Sequence, residues 1–326
     1  MANQIEKVNT IDITSIEKIN LLDDDDIEKL NLLEFTGTID FTWSTGGTLY
    51  AARSAHGAAG TQGAALSCGG GYANDAGEYN GATSTWSQVD VGNLSSARGV
   101  FACGGSQGAA ITAGGQTAAG AVDTVETYGG SAWASEAAIN QATSALNGCG
   151  AGTSNTSFLM AAGDHYPGGA KSAETELFNG STWSDDATMD NAANYIMTFG
   201  ASDDCFVVGG YGYPSQHNYV QHLSSGSFSV LSETLVSHSR AFGGCFGTTS
   251  SGLVVGGSGK DDSGDTWGYL ATTEEWNGSV WATDDAYPVG ACNNCQGTGY
   301  RASGAGGGLM WGGATPTNSD YTGEYG

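Results

Sequence analysis

Basic residues are scarce in this chain. Nine Lys and Arg stand against 34 Asp and Glu among 326 residues, which gives a formal net charge of −25 at pH 7. Such a charge repels a phosphate backbone, and no basic cluster is present to displace its counterions. The composition therefore excludes nucleic acid as a partner, and we interpret the acidity as a source of solubility.

Targeting signals and long apolar runs are also lacking. The N-terminal stretch MANQIEKVN has neither the basic region nor the apolar region of a signal peptide. No run approaches the roughly 18 consecutive apolar residues of a membrane-spanning helix. We therefore expect synthesis in the cytoplasm, with no signal peptide and no membrane insertion.

Proline is rare, with four residues, whereas glycine is abundant, with 54. No Gly-X-Y register is present, which excludes a collagen helix. Eight Trp, fourteen Tyr and ten Phe are too many aromatic residues for a disordered chain. We expect a folded core with many tight turns.

Motifs for metal binding and catalysis are missing as well. Cys292 and Cys295 form a C-x-x-C, but no second Cys or His pair follows at zinc spacing. The five histidines show no H-E-x-x-H, and pairs of acids such as Asp203-Asp204 lack EF-hand spacing. We predict no catalytic residue, no metal and no cofactor, with calcium as an alternative that no motif supports.

Two landmarks recur along the chain about every 47 residues. The first is a Gly-Gly doublet, once Ala-Gly, that ends a short apolar run; the copies are at 69–70, 114–115, 162–163, 209–210, 256–257 and 312–313. The second is an aromatic or apolar residue followed by Trp or Phe; the pairs are Tyr79 and Trp86, Tyr128 and Trp133, Phe178 and Trp183, Leu223 and Phe228, and Trp276 and Trp281.

Each copy holds four predicted strands: a small-residue run near an arginine, the apolar run, a T-x-E-x-aromatic run and a run ending in Trp. Asn179-Gly180 and Asn277-Gly278 predict two-residue hairpin turns between the last two. The sixth copy stops at Tyr325 without its Trp run, and TGTIDFTW before the first copy is an orphan strand. Pairing of residues 38–43 with 320–325 would leave no sheet edge open.

Four-stranded units that cannot bury their own faces are typical of a β-propeller. The Gly-His and Trp-Asp dipeptides of WD40 repeats are absent. A double glycine followed by an aromatic residue and then a Trp resembles the kelch repeat, and the resemblance covers residues 36–326. It implies an all-β, six-bladed kelch-like β-propeller closed by an N-terminal strand. Arg53, Arg98 and Arg240 share one repeat position, as do Glu126, Glu176 and Glu274, so we interpret both sets as frame residues.

Residues 1–35 form a separate leader with three IEKxN copies and a period of 11 residues. We predict that each copy forms one brief helical turn and then an extended stretch. A turn this short needs a partner to cover its apolar side chains. Two alternatives follow: copies of the chain bundle here, or the leader docks on a larger assembly. The predicted anchoring residues are Ile5, Val8, Ile16, Ile19, Leu22, Ile27, Leu30 and Leu33.

The connections after the glycine doublets are long and aromatic in the later copies. In a propeller these connections fall on one face, where exposed aromatic side chains suit stacking on sugars or docking of a protein. The predicted ligand-binding residues are Tyr166, Tyr211, Tyr213, Tyr219, Trp267, Tyr269 and Tyr321.

The leader and the Gly-rich copies together resemble kelch-like propeller proteins of tailed bacteriophage particles. The resemblance implies a virion structural protein (a tail fibre, spike or head decoration subunit) made in the host cytoplasm. Other virion proteins, or further copies of the chain, would bind residues 1–35, and the propeller would bind a host surface glycan or protein. The alternatives are a carbohydrate-active or oxidative enzyme with kelch-like blades and a cytosolic adaptor.

Overall fold

The structure is a computed structural model, and the described part of the chain is all β. It describes residues 42–88, 90–146, 150–212, 217–236, 239–260, 267–299, 307–314 and 317–326. Residues Phe41–Gly326 form one compact unit. The predicted helical turns of the leader, the eight predicted anchoring residues and the predicted boundary between residues 35 and 36 lie outside the described residues. None of the described segments is a helix of the length and apolarity needed to span a bilayer.

The strands are short and follow one another in chain order. The first eleven are β1 (Trp43–Thr45), β2 (Gly57–Thr61), β3 (Ala64–Cys68), β4 (Ala76–Asn80), β5 (Thr85–Ser87), β6 (Ala102–Ser106), β7 (Ala109–Ala113), β8 (Gln116–Thr117), β9 (Gly120–Ala121), β10 (Val125–Tyr128) and β11 (Trp133–Ser135). The next eleven are β12 (Thr143–Ser144), β13 (Gly150–Ser154), β14 (Ser157–Ala161), β15 (Asp164–His165), β16 (Ala170–Lys171), β17 (Thr175–Phe178), β18 (Trp183–Asp185), β19 (Met197–Gly200), β20 (Asp204–Val208), β21 (Val220–Ser224) and β22 (Ser227–Val230). The last ten are β23 (Arg240–Ala241), β24 (Gly244–Thr248), β25 (Ser251–Val255), β26 (Ser258–Lys260), β27 (Trp267–Tyr269), β28 (Thr273–Trp276), β29 (Trp281–Asp284), β30 (Asn293–Gly299), β31 (Gly308–Ala314) and β32 (Thr322–Tyr325).

Within the described residues these strands build six four-stranded antiparallel sheets. Sheet 1 is β2-β3-β4-β5, sheet 2 is β6-β7-β10-β11, sheet 3 is β13-β14-β17-β18, sheet 4 is β19-β20-β21-β22, sheet 5 is β24-β25-β28-β29 and sheet 6 is β30-β31-β32-β1. Smaller pairings join β8 to β9, β15 to β12 and β16, and β26 to β23 and β27. Sheet 6 therefore combines the last three strands of the chain with the first.

The paired landmarks of the sequence lie directly opposite each other in every sheet. Phe178 is the cross-strand partner of Trp183, and Trp276 is the partner of Trp281. Tyr325 has the same relation to Trp43, which supplies the Trp that the sixth copy lacks. Cross-strand aromatic pairs of this kind stabilise a sheet through contact of their rings. The spacing of five residues in the sequence thus reflects two strands joined by a four-residue turn.

The turn itself differs from the predicted two-residue hairpin, so that prediction was wrong. Four residues, 179–182, separate the paired Phe178 and Trp183. The Asn179 side-chain carbonyl accepts the backbone N–H groups of Ser181 and Thr182, each at 3.0 Å. Asn is required here because its side chain organises the turn, while Gly180 adopts a positive φ of 92°.

The N-terminal strand is also shifted from its predicted place. Trp43–Thr45 pairs with Thr322–Tyr325, whereas pairing of residues 38–43 with 320–325 was expected. The expected placement assumed that each Trp ends its strand. In the structure each Trp lies at or next to the start of the fourth strand, because it must stand opposite the last aromatic residue of the third. Trp183 and Trp281 are the first residues of their strands, and Trp86 is the second residue of β5.

The six first strands contact one another in chain order. β2 contacts β6, β6 contacts β13, β13 contacts β19, β19 contacts β24, β24 contacts β30, and β30 contacts β2. The core lies between neighbouring sheets: Leu309 and Trp311 of sheet 6, for example, form one buried cluster with Ala65 and Tyr79 of sheet 1. Each sheet is therefore covered by the next, as a unit that cannot bury its own faces requires.

A first series of backbone hydrogen bonds links each sheet to the one before it. In each bond, the segment that leads into a first strand donates an N–H to the corresponding segment of the preceding sheet. The six bonds are Val100 to Ala55 (3.0 Å), Leu146 to Val100 (3.0 Å), Tyr195 to Ala145 (2.9 Å), Phe242 to Tyr195 (3.0 Å), Asn294 to Phe242 (2.8 Å) and Ala55 to Asn294 (3.1 Å). The last bond connects the first sheet to the sixth, so the series returns to its start.

A second series links each glycine doublet to the following sheet. The second residue of the doublet donates its N–H to the segment before the next first strand. The bonds are Gly70 to Arg98 (2.9 Å), Gly115 to Thr143 (2.8 Å), Gly163 to Ala193 (3.1 Å), Gly210 to Arg240 (2.8 Å), Gly257 to Cys292 (2.7 Å) and Gly313 to Arg53 (2.8 Å). The doublet is thus a joint between two sheets.

The two positions of the doublet make different demands on the backbone. At the first position φ is close to 60°, a left-handed conformation that Ala162 adopts at 62° where the other copies have glycine. At the second position φ is near 95°, and Gly163 has a φ of 96°. A Cβ on Gly163 would lie 2.6 Å from Cγ2 of Thr143. This explains why the third copy departs from Gly-Gly only at its first residue.

We predict that Gly163→Ala destabilises the protein strongly and that Ala162→Gly does not. The first change places a side chain on a strained backbone with no room for it, at a cost of about 1–3 kcal/mol for the backbone alone. The second relieves a left-handed alanine, which offsets the entropy that an added glycine gives the unfolded chain. Urea unfolding of both variants checks this, and equal free energies of unfolding would contradict the assigned backbone.

Candidate functional site

The loops that follow the glycine doublets carry the predicted ligand-binding residues. We call these segments, which join the second strand of each sheet to the third, the post-doublet loops. Two of them contain hairpins, β15–β16 and β26–β27, that also pair with β12 and β23 just before the first strand of the same sheet. The hairpins are therefore held by the frame, which suits loops that present side chains to a partner.

The predicted aromatic residues separate into exposed and packed groups. Tyr166, Tyr211 and Tyr269 are 55%, 37% and 50% exposed. Tyr219 stacks on His217 with ring centroids 4.4 Å apart, and its hydroxyl is buried with no hydrogen-bond partner among the described residues. Tyr321 lies edge-on against Tyr287 and contacts the hydroxyl of Thr45. Trp267 is the first residue of β27, and Tyr213 lies outside the described residues.

One exposed aromatic residue of the post-doublet loops was missed by the sequence analysis. Tyr72 is 51% exposed and follows the glycines of the first copy, with a φ of 62°. The rule that picked out Tyr166 and Tyr211, an aromatic residue after a doublet, also applies to Tyr72. Its loop is short, and the prediction covered only the long connections of the later copies.

Sheets 3 and 4 bring Tyr166 and Tyr211 to a shared corner. Tyr166 follows β15 directly, and its backbone N–H donates to the Ala142 carbonyl at 2.9 Å. Lys171 of β16 places its ammonium 4.6 Å from the centre of the Tyr211 ring, a cation–π contact between two sheets. Asn194 and Tyr211 exchange two backbone hydrogen bonds of 3.1 and 2.8 Å.

The arginines serve the frame, as their shared repeat position predicted. Arg98 donates to the Glu126 carboxylate at 2.9 Å, and both side chains are buried. Arg240 binds Glu274 in the same way, and Arg53 binds Asp75 at 2.7 Å. Burial lowers the pKa of Arg98 and of Arg240, while the partner carboxylate acts in the opposite direction.

The recurring glutamates also have a structural role. Glu126, Glu176 and Glu274 each accept a backbone N–H from the loop before the first strand of their own sheet; the donors are Ser95, Asn140 and Val236. Gln221 performs the same task in sheet 4, accepting from Asn191 at 3.1 Å. Because an amide fills the position as well, an N–H acceptor is what the position needs.

Glu176 differs from the other glutamates because no arginine pairs with it among the described residues. The residue is 6% exposed, and desolvation by burial raises the pKa of its carboxyl group. A buried carboxyl group with a raised pKa is a general-acid candidate in an enzyme. Its hydrogen bond to Asn140 and the equivalence with Gln221 favour a structural role instead.

A cavity of about 410 Å³ lies between the first strands of the six sheets. Its wall is made of small residues and hydroxyl groups, including those of Thr61, Ser106 and Thr153. The carboxylate of Asp204, also at this wall, is engaged by His222 at 2.7 Å and by Thr249 at 2.9 Å. The lining can hold water or a small polar molecule.

The cysteines in the described part of the chain form no metal site. Cys292 and Cys295 form a disulfide and are buried. Within the described residues no group of three or more His, Cys, Asp or Glu side chains is arranged to hold a metal ion.

Comparison of the sequence with protein-family models and with curated proteins finds no match in either set. The geometry of the chain is therefore what supports a functional proposal.

We predict that the same substitution has opposite effects at two equivalent positions. Glu126→Gln leaves the Arg98 guanidinium buried without a counter-charge, which costs about 3–5 kcal/mol. Glu176→Gln keeps the acceptor for Asn140 and removes a carboxylate that burial disfavours.

The pH dependence follows from the raised pKa of Glu176. The folded state holds this proton more tightly than the unfolded state, so the stabilising contribution is present at low pH and is lost as the pH rises through the folded pKa. Glu176→Gln should therefore be more stable than the wild type at pH 7, and the difference should shrink towards pH 4. Unfolding measurements at both pH values check this, and a loss of stability in Glu176→Gln at pH 7 would contradict the assignment.

Proposed function

We propose that the six sheets are the blades of a six-bladed, kelch-like β-propeller closed by its N-terminal strand. Three observations support this: the cyclic contacts of the first strands, the two series of inter-sheet hydrogen bonds, and the pairing of β1 with β32. Radial repetition of fully paired sheets leaves only short edge strands, which limits aggregation.

The proposed function of this propeller is binding and display on a larger particle. We infer a virion structural protein, as a tail fibre, spike or head decoration subunit, in which residues 1–35 attach to other virion proteins or to further copies of the chain. The propeller then presents its loops to a host surface glycan or protein. For attachment through residues 1–35 the support comes from the sequence alone, in which three copies repeat their apolar residues in register.

One observation carries the binding role. Tyr166, Tyr211 and Tyr269 expose their rings on loops that the frame holds in place. Exposed tyrosines on rigid loops supply contact area at little entropic cost, because few rotamers are lost on binding. The arginines and glutamates at repeated positions, in contrast, are engaged within and between the sheets.

We predict that two truncations separated by four residues have different outcomes. A chain beginning at residue 42 keeps β1 and should unfold cooperatively at the temperature of the full-length protein. A chain beginning at residue 46 lacks β1, which exposes the edge of β32 and removes the Trp43 ring, whose centroid lies 5.0 Å from that of Tyr287 and 5.0 Å from that of Tyr325. It should melt at a lower temperature or fail to fold. Calorimetry compares them, and equal melting temperatures would refute closure by the N-terminal strand.

Binding is tested with the intact protein and its natural surface. Labelled full-length protein should bind the cell envelope of the host, without release of reducing sugar, and simultaneous replacement of Tyr166, Tyr211 and Tyr269 by Ala should abolish binding. Replacement of the packed Tyr321 by Phe is the matched control, which should bind like the wild type. Turnover of an envelope glycan that is lost in Glu176→Gln would favour the enzyme alternative, and unimpaired binding by the triple variant would refute the role of the loops.

A further inference from the structure

The corner between sheets 3 and 4 combines the features of a small polar binding site. It consists of Asp164, Tyr166 and Lys171 from the β15–β16 hairpin and of Asn194 and Tyr211 from sheet 4. Asp164 and Lys171 are cross-strand partners, so their side chains stand on the same face of the hairpin. Asn194 donates its amide to both oxygens of the Asp164 carboxylate, at 2.8 and 2.9 Å, which joins the hairpin to sheet 4.

Lys171 differs in its surroundings from the other basic side chains that the structure describes. The other basic side chains that the structure describes, Arg53, Arg98 and Arg240, are buried in ion pairs. Lys171 instead rests on the Tyr211 ring, and the exposed Tyr166 stands two residues after Asp164, the cross-strand partner of Lys171. The same hairpin therefore supplies a hydrogen-bond donor and an exposed aromatic ring.

The same corner is unsuited to a charged ligand. Asp164 is the cross-strand partner of Lys171, and the neighbouring His165 lies 3.6 Å from the exposed Glu174 carboxylate. On a protein with a net charge of −25, these carboxylates repel an anion. An organic cation would have to displace Lys171 from the Tyr211 ring.

A buried acceptor without a partner is the independent sign of a ligand. Asn194 is 4% exposed, and its side-chain carbonyl has no hydrogen-bond partner among the described residues. Leaving a buried polar atom unpaired is unfavourable, so such an atom calls for an explanation. A hydroxyl donor from a ligand would satisfy it.

We propose that this corner binds one neutral pyranose unit of a glycan, a proposal that rests on the proposed display function. The Tyr166 ring stacks on the apolar face of the sugar. The ammonium of Lys171 donates to sugar oxygens, and the Asp164 carboxylate and the Asn194 carbonyl accept from sugar hydroxyls. This arrangement has the apolar surface and the few convergent polar groups that small-ligand sites share.

The test uses the full-length protein and a panel of methyl glycosides of glucose, galactose, mannose and N-acetylglucosamine, with glucuronic acid as the charged match for glucose. Saturation-transfer NMR and titration measure binding to the wild type and to Tyr166→Ala, Lys171→Met and Asp164→Asn. The matched control is Val280→Ala, which truncates an equally exposed side chain (51%) in the turn between β28 and β29 of sheet 5. Tyr166 is exposed, Asp164 and Lys171 are half-buried, and melting temperatures verify that each variant is folded.

We expect at least one neutral glycoside to bind, with an affinity that falls about tenfold or more in Tyr166→Ala and measurably in Lys171→Met and Asp164→Asn. Val280→Ala should bind like the wild type, and glucuronate should bind more weakly than glucose. Preference for glucuronate, unchanged affinity in Tyr166→Ala, or binding to none of the neutral sugars would overturn the proposal. Envelope binding that survives enzymatic removal of glycans would also overturn it, while leaving the display function intact. Absence of any envelope binding by the wild type would instead refute the display function.

Discussion

Backbone hydrogen bonds between neighbouring sheets are the constraint on which the rest of this structure depends. Each sheet gives one N–H from its glycine doublet to the following sheet and one from its lead-in segment to the preceding sheet. These donors reach their acceptors only because the backbone takes a positive φ at both places. Glycine provides this conformation without strain at the doublets, whereas the lead-in segments adopt it at other residues such as Val100, Tyr195 and Phe242. Where alanine replaces glycine, at Ala162, the φ required is one that a Cβ tolerates.

Some polar residues hold the sheets together, and others lie on the post-doublet loops. Arg98 and Glu126 form a buried ion pair. Glu176, which has no arginine partner among the described residues, accepts a backbone N–H as Gln221 does. Polar residues that recur at one repeat position therefore have a structural role. The residues that do not recur at a repeat position, such as Tyr166 and Lys171 of the β15–β16 hairpin, are the ones free to contact a partner. A repeated scaffold with unrepeated loops can change its ligand without changing its core.

The candidate site was predictable only in part, for a physical reason. An aromatic residue after a doublet indicates a place on a post-doublet loop, and Tyr166, Tyr211 and Tyr269 are exposed there. The same rule would have found Tyr72. It does not tell whether a ring faces solvent: Tyr321 packs on Tyr287, and Tyr219 stacks on His217. Exposure depends on neighbours from other sheets. The roles of Lys171, Asp164 and Asn194 had no sequence signal, because their contacts join residues that are distant in the chain.

The sequence by itself determined the β class, the repeated four-stranded unit, the pairing of Trp43 with the last strand of the chain, and the frame role of the repeated arginines. All of these follow from local periodicity, from turn chemistry and from counting copies. Tertiary structure decided the register, in which each Trp lies at or next to the start of its strand. It likewise set the four-residue turn organised by Asn179 and the cyclic order of the first strands. It also decided which tyrosines remain exposed. These properties depend on contacts between sheets, and such contacts are set by packing in three dimensions that no window of the sequence contains.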